Sequence, residues 1–134
     1  MTKDVSFPRL PNCELEVMKV IWDQNQPISQ MQIKEELGVR LKRNYCRTTV
    51  ATWLTRLNKK HFLVVTEKDG LLHYQAAIPR SDYEEMEVHL LADRLFQGSL
   101  PGIVAAMAEK DILTAEEEAE IRGIMDRWTD TIPD

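Results

Sequence analysis

The sequence predicts a mainly α-helical chain with one small β-hairpin, and three observations indicate this fold class. Three stretches in the first 60 residues repeat apolar residues at helical spacing. Two apolar runs, 62–66 and 71–76, then flank Asp69-Gly70, which is a strong hairpin signal. Three more helical stretches follow Pro79. With 134 residues and a hydrophobic share of 43%, the chain can form one compact unit or two small ones.

Capping signals and apolar spacing mark the three N-terminal helices. The first is predicted to begin after a cap at Asn12. The second follows a capping box formed by Ser29 and Gln32, and we expect it to end at Gly38. The third is predicted over residues 46–60, where one face turns inward. That inward stripe comprises Val50, Leu54 and Leu57.

The order of these elements predicts an N-terminal winged helix-turn-helix, in which the hairpin is the wing. Because a two-stranded hairpin is only marginally stable alone, we expect it to pack against the preceding helices. The winged-helix domain is predicted over residues 11–78, after a tail at residues 1–10.

A helical dimerisation domain is predicted over residues 79–130. Capping boxes at 81–84 and 114–117 open two of its helices, and 99–109 form a short helix with Pro101 in its first turn. So small a unit rarely builds a sufficient core alone, and oligomerisation is a common remedy. The predicted dimer contacts are Leu90, Leu91, Leu95, Ile121, Ile124, Met125 and Trp128.

The charges are distributed unevenly along the chain. The net charge is −5, which by itself argues against a nucleic-acid partner. Residues 34–60, however, carry eight basic and two acidic side chains, whereas residues 81–134 carry four basic and fourteen acidic ones. A phosphate-binding face needs local positive potential, so this segregation favours DNA binding by the N-terminal part over a set of merely solvated charges.

The third predicted helix is the candidate DNA-reading element. In a helix-turn-helix the N-terminal residues of the second helix meet base edges, while neighbouring basic groups hold phosphates. Threonine can hydrogen-bond to bases or phosphates, and its methyl group can contact that of thymine. The predicted DNA-contacting residues are Thr48, Thr49, Thr52, Arg47, Arg56, Lys42, Arg43, Lys59 and Lys68.

Nothing in the sequence predicts an enzyme, a cofactor or a metal site. His61, His73 and His89 are widely separated, and no HExxH, GxSxG, CxxC or phosphate-cradling glycine loop occurs. Cys13 and Cys46 are interpreted as small buried hydrophobic residues. Because the chain has neither a signal-peptide layout nor a long apolar stretch, we expect a cytoplasmic protein without membrane insertion.

Three segments give the chain a resemblance to a known family. They are residues 15–22 (LEVMKVIW), 48–60 (TTVATWLTRLNKK) and 95–100 (LFQGSL). The second is similar to the pattern T-T-V-x-T-L-L-x-R-L-x-x-K-G of the penicillinase repressor family, the BlaI/MecI/CopY group. The similarity covers residues 10–128.

The resemblance implies a homodimeric repressor that binds a palindromic operator. Thr48, Thr49 and Thr52 match the family's DNA-reading positions, and Arg56 matches the arginine of its motif. Ala51 stands where some relatives have arginine, so the resemblance implies a different operator sequence. A second departure is His61-Phe62, which replaces the family's usual turn before the wing.

The resemblance also bears on derepression and leaves alternatives open. Some relatives are cleaved after a membrane sensor-protease pathway detects β-lactams, and the matching pair here is Ala106-Met107 rather than Asn-Phe. Copper-responsive relatives carry a C-terminal cysteine cluster that this chain lacks. The alternatives are a winged-helix module that binds protein, and a small-molecule-responsive repressor with a pocket lined by Tyr83, Phe96 and Met107.

Overall fold

Six helices and one three-stranded sheet make up the computed structural model over residues 7–131, the part of the chain that it describes. Two units divide between Glu87 and Val88. The elements in chain order are α1 (Asn12–Trp22), β1 (Ile28–Ser29), α2 (Gln30–Leu41), α3 (Arg47–Lys59), β2 (Leu63–Lys68), β3 (Leu71–Ala76), α4 (Arg80–Leu95), α5 (Leu100–Glu109) and α6 (Ala115–Thr131).

The N-terminal unit, Met1–Glu87, is a winged helix, which confirms the predicted fold class. The helices α1, α2 and α3 pack together and against the sheet, as the periodic apolar residues require. Buried side chains at the centre of this core are Val17, Met18, Ile33, Leu37, Val50, Leu54, Leu57 and Phe62.

The sheet contains one strand more than the sequence predicts. Its order is β1-β3-β2, all antiparallel, and β1 joins through the pairs Ile28–Tyr74 and Ser29–His73. A strand of two residues leaves no alternating pattern in the sequence. The turn between β2 and β3 has φ of 54° at Asp69 and 78° at Gly70, the positive values that a tight two-residue hairpin needs.

Two of the helix starts agree with the predicted capping boxes. Ser29 accepts a hydrogen bond from the Gln32 backbone N–H, and the Gln32 side chain accepts one from the Ser29 N–H. Thr114 and Glu117 form the same reciprocal pair at the start of α6, over 2.9 and 3.1 Å. The sequence signal was sufficient here because a capping box is entirely local.

Three other helix limits were predicted wrongly. Pro11, not Asn12, is the N-cap of α1, and its carbonyl accepts the Leu15 N–H. The helix α4 begins at Arg80, so Ser81 lies inside it. The helix α2 continues through Gly38 to Leu41.

The tail predicted at residues 1–10 lies partly outside the described residues, since those begin at Phe7. From there the chain is attached to the core. Leu10 is buried and its backbone N–H donates to the Tyr83 hydroxyl over 2.8 Å. The Phe7 ring lies 5.7 Å from that of Phe62. Residues 7–10 are thus part of the winged-helix unit rather than a free extension.

Candidate nucleic-acid interface

The helix α3 presents a polar, basic side to solvent. Its apolar residues Val50, Leu54 and Leu57 are buried, which turns the opposite faces outward. Exposed side chains on those faces are Arg47, Thr48, Thr52, Arg56 and Lys59, and Thr49 is half-buried. Helical spacing places Thr48, Thr52, Arg56 and Lys59 together opposite the buried stripe, whereas Arg47 is exposed at the first turn on another side of α3.

Hydrogen bonds within α3 orient its threonines. The Thr52 hydroxyl donates to the Thr48 carbonyl over 2.9 Å, and the Thr55 hydroxyl donates to the Ala51 carbonyl over the same distance. Such bonds to the preceding turn restrict the χ1 angle of threonine. The threonine side chains consequently present their methyl groups and oxygen lone pairs in defined directions.

Cys46 is the N-cap residue of α3 and is exposed, so its interpretation as a buried hydrophobic residue is wrong. Its Sγ lies 3.1 Å from the Thr49 Oγ1, and the Thr48 hydroxyl approaches it at 3.7 Å. These hydrogen bonds, that to Thr49 foremost, lower the pKa of the Cys46 thiol from 9.0 to about 7. Cys13 is half-buried in α1.

The connection between α2 and α3 holds two of the predicted phosphate contacts. Lys42 has a left-handed backbone, with φ of 53°, and its side chain is exposed. The guanidinium carbon of Arg43 lies 5.2 Å from the centre of the Tyr45 ring, and that ring lies 5.2 Å from the Trp53 ring. The Gln30 side chain donates to the Arg47 carbonyl over 3.0 Å. This last bond joins the N-terminal ends of α2 and α3.

Not every basic group near α3 is available to a phosphate. Lys60 contacts the buried carboxylate of Glu14. Arg40 is bound by Glu36 and Asp23, at 2.9 and 2.7 Å. Within residues 7–128, the ion pairs of the structure do not include the following exposed groups: Lys42, Arg47, Arg56, Lys59 and Lys68. Lys68 is the last residue of β2, beside the hairpin turn.

The C-terminal unit, Val88–Asp134, exposes much of its apolar surface over the residues described. Leu95 is 71% exposed and Trp128 is 60% exposed, while Leu91, Ile124 and Met125 are also exposed. Leu90 and Ile121 are half-buried. A largely apolar groove of about 480 Å³ lies between α5 and α6; its lining includes Met107, Ile121, Ile124 and Met125.

The structure also shows where the residues of the candidate cleavage pair and of the predicted ligand pocket lie. Ala106 and Met107 are half-buried within α5. Tyr83 is buried in the core of the N-terminal unit, where its ring contacts those of Phe62 and Trp22. The Tyr83 side chain is thus not open to a ligand. Phe96 is half-buried just after α4.

Across residues 7–131, no group of three or more histidine, cysteine, aspartate or glutamate side chains is placed to hold a metal ion. No helix in that range combines the length and apolar character needed to cross a membrane.

Comparison with known sequences gives consistent matches over most of the chain. The family model described as penicillinase repressor matches residues 10–127. The penicillinase repressor of Bacillus licheniformis is 33% identical over 120 residues, which cover 90% of this chain and 91% of that protein. The methicillin resistance regulatory protein MecI of Mammaliicoccus sciuri is 25% identical over 118 residues, covering 88% and 94% of the two chains.

Two solved structures also resemble much of the chain. The solution structure of the DNA binding domain of the repressor BlaI is 34% identical, has a TM-score of 0.50, and covers 62% of this chain and 94% of its own. The complex structure of hsRosR-S4 has a TM-score of 0.57 over 92% of this chain. At 13% identity, this second likeness concerns the fold alone.

Sequence reasoning missed the contacts that hold the candidate surface together. Tyr45 lies outside any predicted helix, so its place against Trp53 leaves no periodic signal. The N-cap Cys46 has an extended backbone, so Tyr45 is not on the helical repeat of α3, and its spacing from Trp53 carries no clue to the contact. The Gln30 bond to Arg47 and the Lys60 bond to Glu14 join distant segments and are not encoded in local patterns.

Proposed function

Because the chain belongs to the penicillinase repressor family, we propose that it is a homodimeric transcriptional repressor that binds a palindromic DNA operator through α3. The observation that carries this proposal is the accessible side of α3 that bears Thr48, Thr52, Arg56 and Lys59; Lys42, just before α3, and Lys68, at the end of β2, are exposed as well. An α-helix fits the major groove, where each base pair presents a distinct pattern of donors and acceptors.

The contacts divide into two classes by chemistry. Thr48, Thr49 and Thr52 lie near the N-terminal end of α3 and would meet base edges. The exposed basic groups of α3, of the connection before it and of the hairpin would meet phosphates, which fix the position of the protein without reading sequence. These phosphate-binding groups are Lys42, Arg43, Arg47, Arg56, Lys59 and Lys68. Net charge is no obstacle, because the acidic residues concentrate beyond residue 80.

Dimerisation through the C-terminal unit would explain its exposed apolar residues. Contiguous exposed apolar surface usually marks an interaction site. Leu95 and Trp128 are the most exposed of the predicted dimer contacts, and the groove between α5 and α6 offers space for apolar side chains of a second copy. A twofold axis would then place two α3 helices on the two halves of a palindrome.

We further propose that a sensor-triggered signal such as proteolysis relieves repression. The candidate bond Ala106-Met107 lies inside the regular helix α5. A protease needs an extended substrate, so cutting there requires α5 to unfold locally. Cleavage at this bond would separate α6 from the DNA-binding unit and so weaken the dimer. The pair differs from the Asn-Phe bond that is cut in relatives, and mass spectrometry of the chain recovered from induced cells would locate the cut.

Selection of DNA from a random pool tests the main proposal. We expect the recovered sequences to converge on an inverted repeat, and sedimentation to give two protein chains per duplex. Arg56→Ala should weaken binding to the selected duplex, whereas Lys110→Ala, an equal loss of charge at the exposed residue that caps α5, should not. Recovery of unrelated sequences, bound no more tightly than random duplex, would contradict the repressor proposal and favour a protein-binding winged helix.

A further inference from the structure

Arg43, Tyr45 and Trp53 form a row of three side chains beside the start of α3. The Arg43 guanidinium lies over the Tyr45 ring at 5.2 Å, and the Tyr45 and Trp53 rings meet edge to face, at 5.2 Å and 68°. We call this row the aromatic bracket. Arg43 is exposed, whereas both rings are half-buried. The Arg43 guanidinium therefore lies at the solvent-exposed end of the row, and the two half-buried rings pack behind it.

The inner end of the aromatic bracket is anchored in α3. Trp53 immediately precedes the buried Leu54 and packs against the core of the N-terminal unit. Tyr45 packs against the same core. A rigid ring with few rotatable bonds can orient a neighbour at little cost in conformational entropy.

An arginine side chain normally loses much rotamer freedom when it binds a phosphate. Stacking on an aromatic face removes part of that freedom beforehand, and it leaves the guanidinium N–H edges free to donate. Among the described residues, the cation–π contacts do not include Lys42, the neighbouring residue. The two adjacent basic residues thus differ in how far their side chains are ordered before DNA arrives.

We propose that Tyr45 and Trp53 are positioning residues that hold Arg43 ready for a backbone phosphate of the operator. This inference rests on the proposed DNA-binding function and goes beyond it by making one phosphate contact depend on two groups that do not touch DNA themselves. The Arg43 contact contributes strongly to affinity only while the Tyr45 ring is present.

A double-mutant cycle tests the dependence directly. Affinity for the selected duplex is measured for the wild type, Arg43→Ala, Tyr45→Leu and the double variant, across a series of salt concentrations. In the wild-type background we expect Arg43→Ala to weaken binding about tenfold for each half-site, as for a charged hydrogen bond. It should also flatten the slope of log affinity against log salt by about 0.9 for each protomer of the bound dimer, the value for one phosphate. In the Tyr45→Leu background we expect Arg43→Ala to cost less than about twofold, because the ordered contact is already lost.

Three further variants distinguish loss of the aromatic support from a general loss of affinity or of folding. Lys42→Ala is the matched control, and we expect it to cost the same factor in both backgrounds. Tyr45→Phe keeps the ring and should retain wild-type affinity and coupling. If Tyr45→Leu does not fold, as judged by circular dichroism, Trp53→Leu replaces it, since it removes the other half of the support.

Equal losses from Arg43→Ala in both backgrounds would overturn the inference, as would an unchanged salt slope in that variant. Either result would leave the proposed repressor function standing, provided that the wild type still selects its operator. A wild type that binds no duplex selectively would instead overturn the proposed function, and this inference with it.

Discussion

The ammonium group of Lys60 contacts the carboxylate of Glu14, which ties the C-terminal end of α3 to the start of α1. The Glu14 side chain is only 2% exposed and that of Lys60 is 30% exposed. A carboxylate buried this deeply requires a partner. The contact consequently engages the Lys60 ammonium group, whereas the neighbouring Lys59 is exposed.

Breaking this pair should destabilise the N-terminal unit more than breaking an exposed one. Lys60→Ala leaves the Glu14 charge buried and unpaired, and we expect a loss of about 3 kcal/mol in the free energy of unfolding. The measurement is urea denaturation followed by circular dichroism. Glu16→Ala, which removes the surface pair with Lys19, is the control and should cost less than about 0.5 kcal/mol. Equal losses in the two variants would show that the buried pair has no special role.

Thr49 and Lys59 should affect DNA binding in different ways. Thr49→Ala should cost about 1–3 kcal/mol on the selected operator and relax preference at a single base step, because a base contact is lost. Lys59→Ala should weaken selected and random duplexes alike, and it should flatten the salt slope by about 1 for each protomer bound, because each protomer loses a phosphate contact. Binding curves on both duplexes at several salt concentrations separate these outcomes. A uniform loss in Thr49→Ala would show that Thr49 reads no base.

The lowered pKa of Cys46 should make operator binding sensitive to pH near neutrality. With a pKa of about 7, half of the thiol is ionised at pH 7, whereas a thiol of pKa 9.0 would be only about 1% ionised. Ionisation places a negative charge at the start of α3, where we propose that phosphates bind. Affinity should therefore fall as the pH rises from 6 to 8.

Two experiments check the prediction that operator affinity falls as the pH rises. Cys46→Ser should give a flatter pH profile, since its hydroxyl does not ionise in this range. Alkylation of the wild type at pH 7 should occur faster at Cys46 than at the half-buried Cys13, and operator DNA should slow it. An affinity that rises with pH, or equal rates at both cysteines, would contradict the prediction.

A charge introduced among the exposed leucines should separate the proposed dimer. Leu95 is 71% exposed in the single chain, so Leu95→Glu should leave the fold intact while placing an unpaired carboxylate in the interface. Sedimentation should show a monomer at concentrations where the wild type is a dimer. Leu71→Glu is the control because Leu71 is 61% exposed but lies in the N-terminal unit, and that variant should remain dimeric. Dissociation of both variants alike would argue against an interface in the C-terminal unit.

Local sequence signals predicted most of the fold and the exposed side of α3. The Asp69-Gly70 turn and the Ser29 cap depend on neighbouring residues, and both are present as predicted. The end of α2 was missed because its last turn is stabilised from elsewhere. Arg40 binds Glu36 on the same helix and Asp23 after α1. These ion pairs favour continuation of α2 past Gly38, although a glycine inside a helix costs about 1 kcal/mol relative to alanine.

The sequence predicted which residue types form the candidate site, but not the contacts that hold Arg43 and Cys46 in position. Helical spacing was enough to place Thr48, Thr52 and Arg56 outward, because burial of the opposite stripe decides that orientation. The positions of Arg43 and Cys46 depend on ring packing and on hydroxyl contacts. Such contacts arise only when the loop between α2 and α3 folds back against α3.

The hydrogen bond from the Thr52 hydroxyl to the Thr48 carbonyl limits what this side chain can recognise. A hydroxyl has a single proton, and here that proton is already committed to the helix. If α3 enters the major groove as we propose, Thr52 can only accept a hydrogen bond there, so the base opposite it must bring the hydrogen, as the amino groups of adenine and cytosine do. Guanine O6 or thymine O4 in that place would set lone pair against lone pair, so we expect the Thr48 carbonyl, by engaging the Thr52 proton, to disfavour those two bases at that position.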